Sequence, residues 1–486
     1  MIRSVELGRA IEVLSEDELT RVHQATLDVL ARTGVKVTSR GVLERLADTG
    51  ARVDLNDERA RFPADMVEAA LRRVPRDLVM GARDPANTFV LDGSRGYLGV
   101  DGCAAEVLDL DTEEKRPSTK ADLADITRLA DGLDEIAYVW QPVSARDVPV
   151  PVQPLHETET GFRNTNKHLM QMTAVNSDQA RAVVEMATAV AGNPERLRRE
   201  PVVSAFQCSL SPLTYEAGPI EAALVYAGAG VPCGFMVMPI TCATAPASIA
   251  GTLVVSNSEI VAGVVILEAL APGAPTFYGS CATSLDLRTG VATCGGPEDI
   301  YYQMAGAQLA RHYGIRSIMG TFASGSKIYD WQAGVENAFS GMASVLSGAD
   351  LLSGTGLLFA ARMFSAAEMV LDCETFGLIS AFVDGFRAEP EDLALEVIDA
   401  VGPDNHFMAT PHSLPHMHDF WKSEMFESSP WGRWEAEGRP GPSDAARAKA
   451  KRILADHAVD PVPDDVSREL DDILARYTRL LVQEGD

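Results

Sequence analysis

Short apolar runs recur along the middle of the chain, each followed by a polar or glycine-rich loop and then by a longer stretch with helical spacing. Eight runs follow this order: Tyr138–Val143, His168–Thr173, Val202–Cys208, Gly234–Ile240, Thr276–Ser280, Arg316–Thr321, Asp350–Ser353 and His406–Ala409. A strand, a loop and a helix repeated eight times build a (β/α)8 barrel. The pattern therefore predicts an α/β protein with a TIM barrel, and a doubly wound open sheet is the alternative.

Two smaller regions flank the predicted barrel. Ser15 and Glu18 have the spacing of a helix-capping box, and Gly34 ends the helix that they begin. Short helical runs then alternate with short strand-like pieces, which is typical of a small α+β cap. Two helices are predicted near the carboxyl terminus, after a linker rich in glycine and proline. The predicted domains are an amino-terminal α+β cap over residues 1–134, a catalytic barrel over 135–434 and a carboxy-terminal helical extension over 435–486.

Charge and cysteine content narrow the classes of partner. The chain has 42 basic and 69 acidic residues and a net charge of −27, so its average surface repels nucleic acid and anionic lipid. Seven cysteines without a Cys-x-x-Cys pair favour a reducing compartment over a disulfide scaffold. No window has the roughly 18 consecutive apolar residues of a membrane-spanning helix. We therefore expect a cytoplasmic protein that binds neither nucleic acid nor membrane.

In a barrel of this type the functional side chains follow the strands. Polar side chains at the predicted strand ends are Gln141, Gln171, Gln207, Ser209, Ser211, Thr241, Thr244, Tyr278, Ser280, Thr321, Ser324, Ser353, Thr355 and His412. Their alternative role is to hydrogen-bond the loops. Since no Ser-His-Asp order, Walker motif or dinucleotide glycine motif accompanies them, we expect no covalent nucleophile and no bound NAD or ATP.

The loop after the predicted strand Arg316–Thr321 is rich in aromatic residues. It places Phe322, Tyr329 and Trp331 close to Asp330. Aromatic faces beside a carboxylate suit a cationic ligand. The alternative is that Trp331 packs on the following helix.

Four histidines lie close together near the end of the predicted barrel: His406, His412, His416 and His418. Their spacing suggests a zinc site, but Pro411 and Pro415 interrupt the helix that would bring two imidazoles onto one face. We therefore expect no metal and predict a lid in which one histidine, His412, faces the ligand.

Several longer motifs resemble the trimethylamine methyltransferase family of corrinoid-dependent enzymes. They are Thr244–Gly263, Ala271–Gly279, Gln308–Gly314, Gly325-Ser-Lys with Asp330-x-Gln-Ala-Gly-x-Glu336, and Cys208-Ser-Leu-Ser-Pro-Leu. The resemblance extends from the helix at Ser15 to the region of Trp434. The combination of motifs is specific to that family.

The resemblance implies a TIM barrel that transfers a methyl group from an amine nitrogen to the cobalt of a corrinoid (cobalamin) held by a separate protein. Archaeal trimethylamine enzymes of the family carry pyrrolysine in the barrel, whereas this chain has ordinary residues throughout. It resembles the branch without pyrrolysine, whose characterised members demethylate quaternary amines such as glycine betaine. The expected partners are a cognate corrinoid protein, a small quaternary amine and further copies of the chain in a homo-oligomer.

The chemistry of a quaternary amine explains why the sequence needs no Ser-His-Asp triad. Such a substrate is already a cation and leaves as a neutral tertiary amine, so the protein needs to supply neither an acid nor a nucleophile. The barrel has to hold the cation, aim one methyl group at the mouth and exclude water. The predicted substrate-binding side chains are Tyr278, Phe322, Tyr329, Asp330, Trp331, Glu336, Phe359 and His412.

Two other functions are compatible with the residues alone. A metal-assisted barrel lyase would require ligands at the strand ends, which the histidine-rich region offers. A non-catalytic protein that binds betaine-like ligands would need only the aromatic loop. The corrinoid itself is not expected to reside in the chain, because the Asp-x-His-x-x-Gly run of cobalamin-binding modules is missing from the sequence.

Overall fold

A closed barrel of eight parallel strands is the centre of the computed structural model, which describes residues 2–7 and 11–483. Strand β1 pairs in parallel with both β2 and β8 and so closes the barrel. The predicted TIM barrel is confirmed and the open sheet is excluded. The strands are β1 (Arg95–Val100), β2 (Ile136–Trp140), β3 (His168–Gln171), β4 (Val203–Cys208), β5 (Cys233–Val237), β6 (Tyr278–Ser280), β7 (Ser317–Gly320) and β8 (Leu351–Thr355).

A helix follows each strand and packs on the outside of the barrel. These helices are α1 (Lys120–Asp131), α2 (Gln153–Asn164), α3 (Ser177–Ala191), α4 (Ala217–Ala229), α5 (Ile249–Leu270), α6 (Pro297–Tyr313), α7 (Trp331–Ser347) and α8 (Ala366–Asp384). Helix α5 is long and apolar enough to cross a membrane by composition, but 78% of its most apolar window is buried within the protein. It is therefore a core helix of the barrel.

Two predictions about the barrel strands were wrong. His406–Ala409 forms turns, because the prolines that flank it interrupt the chain and no strand lies beside it to pair with. The missing strand is β1, which lies within the segment assigned to the cap. The sequence pattern does not reveal it as a barrel strand, because a hairpin, Glu106–Leu108 with Lys115–Pro117, separates it from α1. The repeat of strand, loop and helix is thereby hidden at its first unit.

The regions on either side of the barrel form the predicted helices. Ser15 and Glu18 make a capping box at the start of the helix Glu16–Asp28, which packs on α5 together with the helix Ala64–Arg73. The helix Pro442–Asp456 packs on α8 and the helix Asp464–Gln483 packs on α3. The remaining α-helices of the described residues are Arg40–Ala47, Pro194–Arg199, Leu395–Val401, Ser413–His416 and Trp431–Ala436. Shorter helical turns are the π-helix Val29–Thr33 and the 3-10 helices Pro85–Asn87 and Val150–Val152. Whether 1–134, 135–434 and 435–486 fold as separate domains stays a prediction.

Short strands outside the barrel form small sheets at its edges. Val5–Glu6 runs antiparallel to β1. The others are Val35–Val37, Arg52–Asp54, Arg59–Arg61, Leu78–Met80, Phe89–Leu91, Glu106–Leu108, Lys115–Pro117, Thr214–Tyr215, Ile240–Thr241, Thr283–Asp286, Val291–Ala292, Leu357–Leu358 and Met363–Ser365.

One end of the barrel is filled and the other is open. The hairpin of Leu78–Met80 and Phe89–Leu91 packs into the same apolar cluster as the first inward-facing residues of the strands, such as Tyr97. Above them the rings of Trp140 and Phe206 stack 5.6 Å apart. Because this end is occupied by side chains, a ligand can enter only where the strands end and the loops begin.

Candidate active site

The barrel mouth is lined by the last inward-facing residue of several strands. Side chains alternate between the two faces of a strand, and Trp140, Met170, Phe206 and Met236 are all inside the barrel. Counting two residues further along from these inward-facing positions, or following the alternation to the strand end, gives the inward-facing residues at the mouth. The resulting set contains Asp101, Met172, Cys208, Met238, Cys281 and Ser353.

Asp101 supplies a carboxylate to this set. It directly follows β1, and it accepts hydrogen bonds from the Gly102 amide (2.6 Å) and the Ser353 hydroxyl (2.9 Å). Burial raises the pKa of Asp101 to about 6, against the lowering effect of those two bonds. The carboxyl is therefore mostly ionised at neutral pH, and its charge lies in surroundings that exclude much of the water.

Sulfur atoms make up much of the wall around this carboxylate. Burial raises the pKa of the thiols of Cys103 and Cys281 well above the ordinary value, and that of Cys294 to about 12. The Cys208 sulfur lies 3.9 Å from the Met172 sulfur. Since these thiols stay protonated at neutral pH, they act as polarisable walls and not as nucleophiles.

A buried donor without an acceptor lies next to the carboxylate. The indole nitrogen of Trp140 has no hydrogen-bond partner among the described residues, although the side chain is almost fully buried. It adjoins Gly102, where a β-carbon would lie 3.1 Å from that nitrogen and 2.5 Å from the Gln141 carbonyl oxygen. Glycine at this position thus leaves room for the indole beside Asp101.

Carboxylates from the surrounding helices hold the loops at the mouth. The pairs are Glu157 with Ala145 and Thr173, Glu259 with Ser209, Ser211 and Leu213, Asp299 with Thr283 and Gly296, Glu336 with Ser324 and Gly325, and Asp372 with Gly356. Each carboxylate accepts hydrogen bonds from amides or hydroxyls of a loop. These charge-assisted bonds hold the loop in place, whereas a loop that contacts only water has no such anchor. The mouth is accordingly preorganised.

Two carboxyl groups of α8, the helix after β8, share one side-chain amide as their hydrogen-bond donor. The side-chain nitrogen of Asn337 donates to Glu368 and to Asp372, at 2.8 Å in both cases. Burial raises the pKa of Glu368 to about 8, and burial together with the neighbouring Glu368 raises the pKa of Asp372. The pair therefore retains a proton at neutral pH, because two adjacent buried carboxylates repel each other.

Two of the predicted binding residues do not face the mouth. The Tyr278 hydroxyl donates to Asn257 of α5, 2.9 Å away, so its ring lies between the barrel and that helix. Phe322 is fully buried, and its ring fills the space beside Gly341 of α7. Tyr278 has the outward phase of β6. Phe322 lies two residues beyond the end of β7 in the left-handed region (φ 47°), so the alternation of the strand does not set its direction.

The other aromatic and acidic candidates lie in the loop before α7 and at its first turns. Asp330 caps α7 by accepting from the amides of Gln332 and Ala333. Trp331 is 83% exposed, and Tyr329 donates to the carboxylate of Glu113. Glu336 accepts from Ser324 and Gly325 of the loop with one oxygen and from Gln332 of α7 with the other, so both oxygens already have donors. The role of these side chains in substrate binding stays a prediction.

Phe359 and His412 are the remaining candidates. The Lys327 ammonium lies 5.2 Å and the Arg362 guanidinium 5.4 Å from the ring centre of Phe359, so cations of the chain itself already contact this ring. His412 is half-buried, and its ring centre lies 4.3 Å from that of His416. Within residues 2–7 and 11–483, no three histidine, cysteine or acidic side chains are arranged to hold a metal ion.

Sequence reasoning missed Asp101 and the thiols around it. The run Tyr97-Leu-Gly-Val followed by Asp101-Gly-Cys is an apolar strand ending in a polar turn, and it was a usable signal. The sequence pattern nevertheless places this run in the cap, because the hairpin after β1 hides the first unit of the repeat. Nothing in the spacing of the cysteines indicates that four strands or loops bring their thiols together.

Comparisons with known proteins agree with this architecture. The model of the trimethylamine methyltransferase (MTTB) family matches residues 3–481. The trimethylamine methyltransferase MttB of Desulfitobacterium hafniense is 33% identical over 468 residues, covering 96% of this chain and 94% of that protein. The glycine betaine methyltransferase of another strain of that species is 28% identical over 477 residues, covering 97% of both chains.

A solved structure supports the fold independently of close sequence similarity. The monomethylamine methyltransferase (MtmB) of Methanosarcina barkeri superposes with a TM-score of 0.54 at 12% identity, over 93% of this chain and 88% of that one. The family match over nearly the whole chain decides the enzyme class. The chain belongs to the trimethylamine methyltransferase (MTTB) family and is a methyltransferase with a TIM barrel.

Proposed function

We propose that this enzyme transfers a methyl group from a quaternary amine, such as glycine betaine, to the Co(I) of a corrinoid carried by a separate protein. The observation that carries the proposal is the Asp101 carboxyl group in a barrel mouth that is walled by sulfur atoms and has a floor of stacked aromatic rings. A quaternary ammonium ion has a permanent charge and donates no hydrogen bond. It is therefore bound best by a negative charge within polarisable walls.

The residues of the mouth position the substrate. Asp101 attracts the ammonium group, and the buried rings of Trp140 and Phe206 close the floor below it. The loop attachments keep this geometry fixed, so that little ordering remains to be done when substrate binds. The leaving group is a neutral amine, so methyl transfer requires no ionised thiol from the protein. The thiols around the site can therefore remain protonated.

The open end of the barrel suits a corrinoid that arrives on another protein. Met238 is 52% exposed at the rim, and Cys208 is exposed beside it, so a methyl group held at Asp101 can be approached from outside. When bound, the corrinoid supplies the Co(I) nucleophile that accepts the methyl group. The chain supplies the cation site, the closed floor and the exclusion of water from below.

The unpaired indole donor of Trp140 favours a substrate with an oxygen acceptor. A buried N–H without an acceptor costs free energy, which a carboxylate or hydroxyl oxygen of the substrate would recover. Glycine betaine has such an oxygen close to its ammonium group. This observation supports glycine betaine over tetramethylammonium.

Trimethylamine is the second candidate, since a 33% identical relative is named for it. In its protonated form it is also a cation that leaves as a neutral amine, and its N–H could donate to Asp101. Binding of a protonated amine would weaken as the pH rises through the pKa of the amine, whereas binding of a quaternary amine would not.

The proposal is tested by methylation of Co(I) cobalamin, followed by its absorbance, with glycine betaine, choline, carnitine, tetramethylammonium and trimethylamine. We expect turnover with a quaternary amine that bears an oxygen. Turnover with trimethylamine alone would select the second candidate. Binding of glycine betaine without methyl transfer to cobalamin or to any corrinoid protein would contradict both.

A further inference from the structure

The tip of one hairpin at the rim of the barrel mouth has a strained backbone. The hairpin follows β8, and its strands are Leu357–Leu358 and Met363–Ser365. Three successive residues of its tip, Phe359, Ala360 and Ala361, have φ angles of 53°, 52° and 63°. Residues other than glycine persist in this left-handed region only where their surroundings impose it, and they cluster at functional sites. The tip is therefore held in one specified conformation.

The hairpin tip is attached to the loop after β7. The Phe359 amide donates to the Ser326 carbonyl oxygen at 2.7 Å, and the Ala360 amide donates to the Ser324 carbonyl oxygen at 3.0 Å. The Ser324 hydroxyl donates in turn to Glu336 of α7 at 2.6 Å. The two loops are thus joined into one unit, and side chains that leave them keep a fixed relation to each other.

Two cationic side chains, one from each loop, meet at the ring of Phe359. The Lys327 ammonium lies 5.2 Å and the Arg362 guanidinium 5.4 Å from the centre of this half-buried ring. Two like charges repel each other when one ring brings them together. Contact with the ring face compensates only part of that repulsion at a partly exposed position. The two side chains, which we call the cation pair, are therefore suited to bind an anion.

No carboxylate of the described residues forms an ion pair with either member of the cation pair. The Lys327 ammonium donates to the Gly325 carbonyl oxygen at 2.8 Å. The Arg362 guanidinium has no hydrogen-bond partner within the described part of the chain. Since the protein has 69 acidic and only 42 basic residues, two neighbouring cations without a carboxylate are a specific feature of this rim.

The carboxylates of the adjoining loops and helix are engaged by other donors. Asp330 caps α7, and Glu336 accepts from donors of its loop and of α7. Glu113 accepts from the Tyr329 hydroxyl and forms an ion pair with Arg447. None of these carboxylates is free to neutralise the cation pair, so its anion has to come from outside the described chain.

The cation pair lies at the rim of the same mouth as Asp101. Gly325, which accepts from Lys327, adjoins Cys294, because a β-carbon on this glycine would lie 3.6 Å from the Cys294 carbonyl oxygen. Burial raises the pKa of the Cys294 thiol, and the charge of Asp101 adds to this effect, so Asp101 lies near that thiol. No ion pair joins Asp101 to either cation among the described residues. The Cys294 segment thus lies between the two charged sites.

We propose that Lys327 and Arg362 form a carboxylate subsite, which binds the far end of a zwitterionic quaternary amine whose ammonium group lies at Asp101. The inference rests on the proposed function, which supplies the position of the ammonium group. In glycine betaine a single methylene group separates the two charges, so its carboxylate would lie beside Asp101 and be repelled. A longer chain places the carboxylate at the cation pair. The preferred substrate class is therefore an ω-trimethylammonio carboxylate longer than glycine betaine.

The test measures ligand binding to the intact protein by calorimetry, so that its readout does not depend on methyl transfer. The ligands are the ω-trimethylammonio derivatives of acetate, propanoate, butanoate and pentanoate, each paired with its uncharged primary amide. Wild type should bind a longer acid at least about fivefold more tightly than the amide of equal length. The double variant Lys327→Gln with Arg362→Gln should bind both equally. Its circular dichroism spectrum should be unchanged, because both side chains are exposed.

The matched control is Lys422→Gln with Arg479→Gln, which removes the same charge from exposed positions outside the mouth and should keep the preference for the acid. Equal affinity for acid and amide at every length in wild type would overturn the proposal, as would a preference that survives the double variant.

A double variant that slows methyl transfer to a corrinoid protein, yet binds every acid as wild type does, would assign the cation pair to a carboxylate of the carrier and overturn the substrate subsite. A preference for the longer acids without any methyl transfer to Co(I) cobalamin would support the subsite and contradict the proposed function alone.

Discussion

Asp101 shows how one side chain acquires its chemistry from its surroundings. In water its carboxyl would be ionised far below neutral pH, but burial at the strand end raises its pKa to about 6. The bonds from Gly102 and Ser353 keep it oriented across the mouth. Its buried negative charge therefore opposes folding. The same charge is available to bind a cation.

Asp101→Asn should raise the KM for a quaternary amine at least about tenfold, since loss of one partly buried ion contact is worth about 1.4 kcal/mol or more. The free energy of unfolding at neutral pH should not fall, because the buried charge already opposes folding. Steady-state kinetics and urea unfolding measure the two effects. Asp92→Asn, at the other end of β1, is the matched control and should leave KM unchanged; an unaltered KM in Asp101→Asn would refute the role.

The same residue predicts a pH dependence. As the pH falls through about 6, Asp101 is protonated and affinity for the cation should decrease. The stability contribution has the opposite direction, because the folded form holds this proton more tightly than the unfolded chain. That contribution is present below the ordinary value of 3.8 and is lost as the pH rises through about 6. Asp101→Asn should lack the step in KM near pH 6.

Trp331→Ala tests the aromatic candidate that the loop sequence suggested. A cation–π contact at an exposed ring is worth about 0.5–1 kcal/mol, so we expect a two- to fivefold loss of substrate affinity by calorimetry. Trp431→Ala, another exposed indole, is the control and should have no effect. A loss of about thirtyfold would instead mean that the substrate desolvates the Trp331 ring, which corresponds to about 2 kcal/mol.

The barrel elements cooperate through the carboxylates that join helices to loops. Glu259 of α5 accepts from the hydroxyls of Ser209 and Ser211 at 2.6 and 2.8 Å and from the Leu213 amide at 2.9 Å. Its helix crosses the outside of the barrel, so the loop after β4 is held by a neighbouring unit. This arrangement orders the loop next to Cys208 without using any residue of the mouth.

Glu259→Ala should lower the free energy of unfolding by about 2–3 kcal/mol, because three donors lose their acceptor. The Leu213 amide should exchange its hydrogen faster, which mass spectrometry of peptic fragments measures. Glu216→Ala is the control in the same loop, since its exposed side chain makes no capping bond. Unchanged exchange at Leu213 in Glu259→Ala would show that the loop is ordered by something else.

The complete molecule combines a closed floor with an open mouth, and this shape is compatible with the proposed delivery of a corrinoid by another protein. A mouth with exposed Met238 and Cys208 can be covered by a second protein in each turnover.

Purified protein should be colourless and contain no cobalt by elemental analysis, and it should be active only with an added corrinoid and a reductant. The reason is that the Asp-x-His-x-x-Gly run of cobalamin-binding modules is missing from the sequence. Cobalt retained in stoichiometric amount through purification would contradict this expectation, as would methyl transfer with no corrinoid present.

Local patterns in the chain were sufficient for the fold class and for many helices. The capping box at Ser15 and the spacing of apolar residues depend on neighbours within a few positions, so they can be recognised without tertiary structure. Seven of the eight predicted runs overlap barrel strands for the same reason. The family motifs added the enzyme class.

Tertiary structure alone decided the site, because two properties are set by contacts that are distant in sequence. One is the phase of each strand, which turns Tyr278 towards α5 and Asp101 into the mouth. The other is barrel closure, which joins β1 to β8 across about half of the chain and so identifies Arg95–Val100 as a barrel strand. The pKa of Asp101 follows from both, since burial depends on what the closed barrel brings around it.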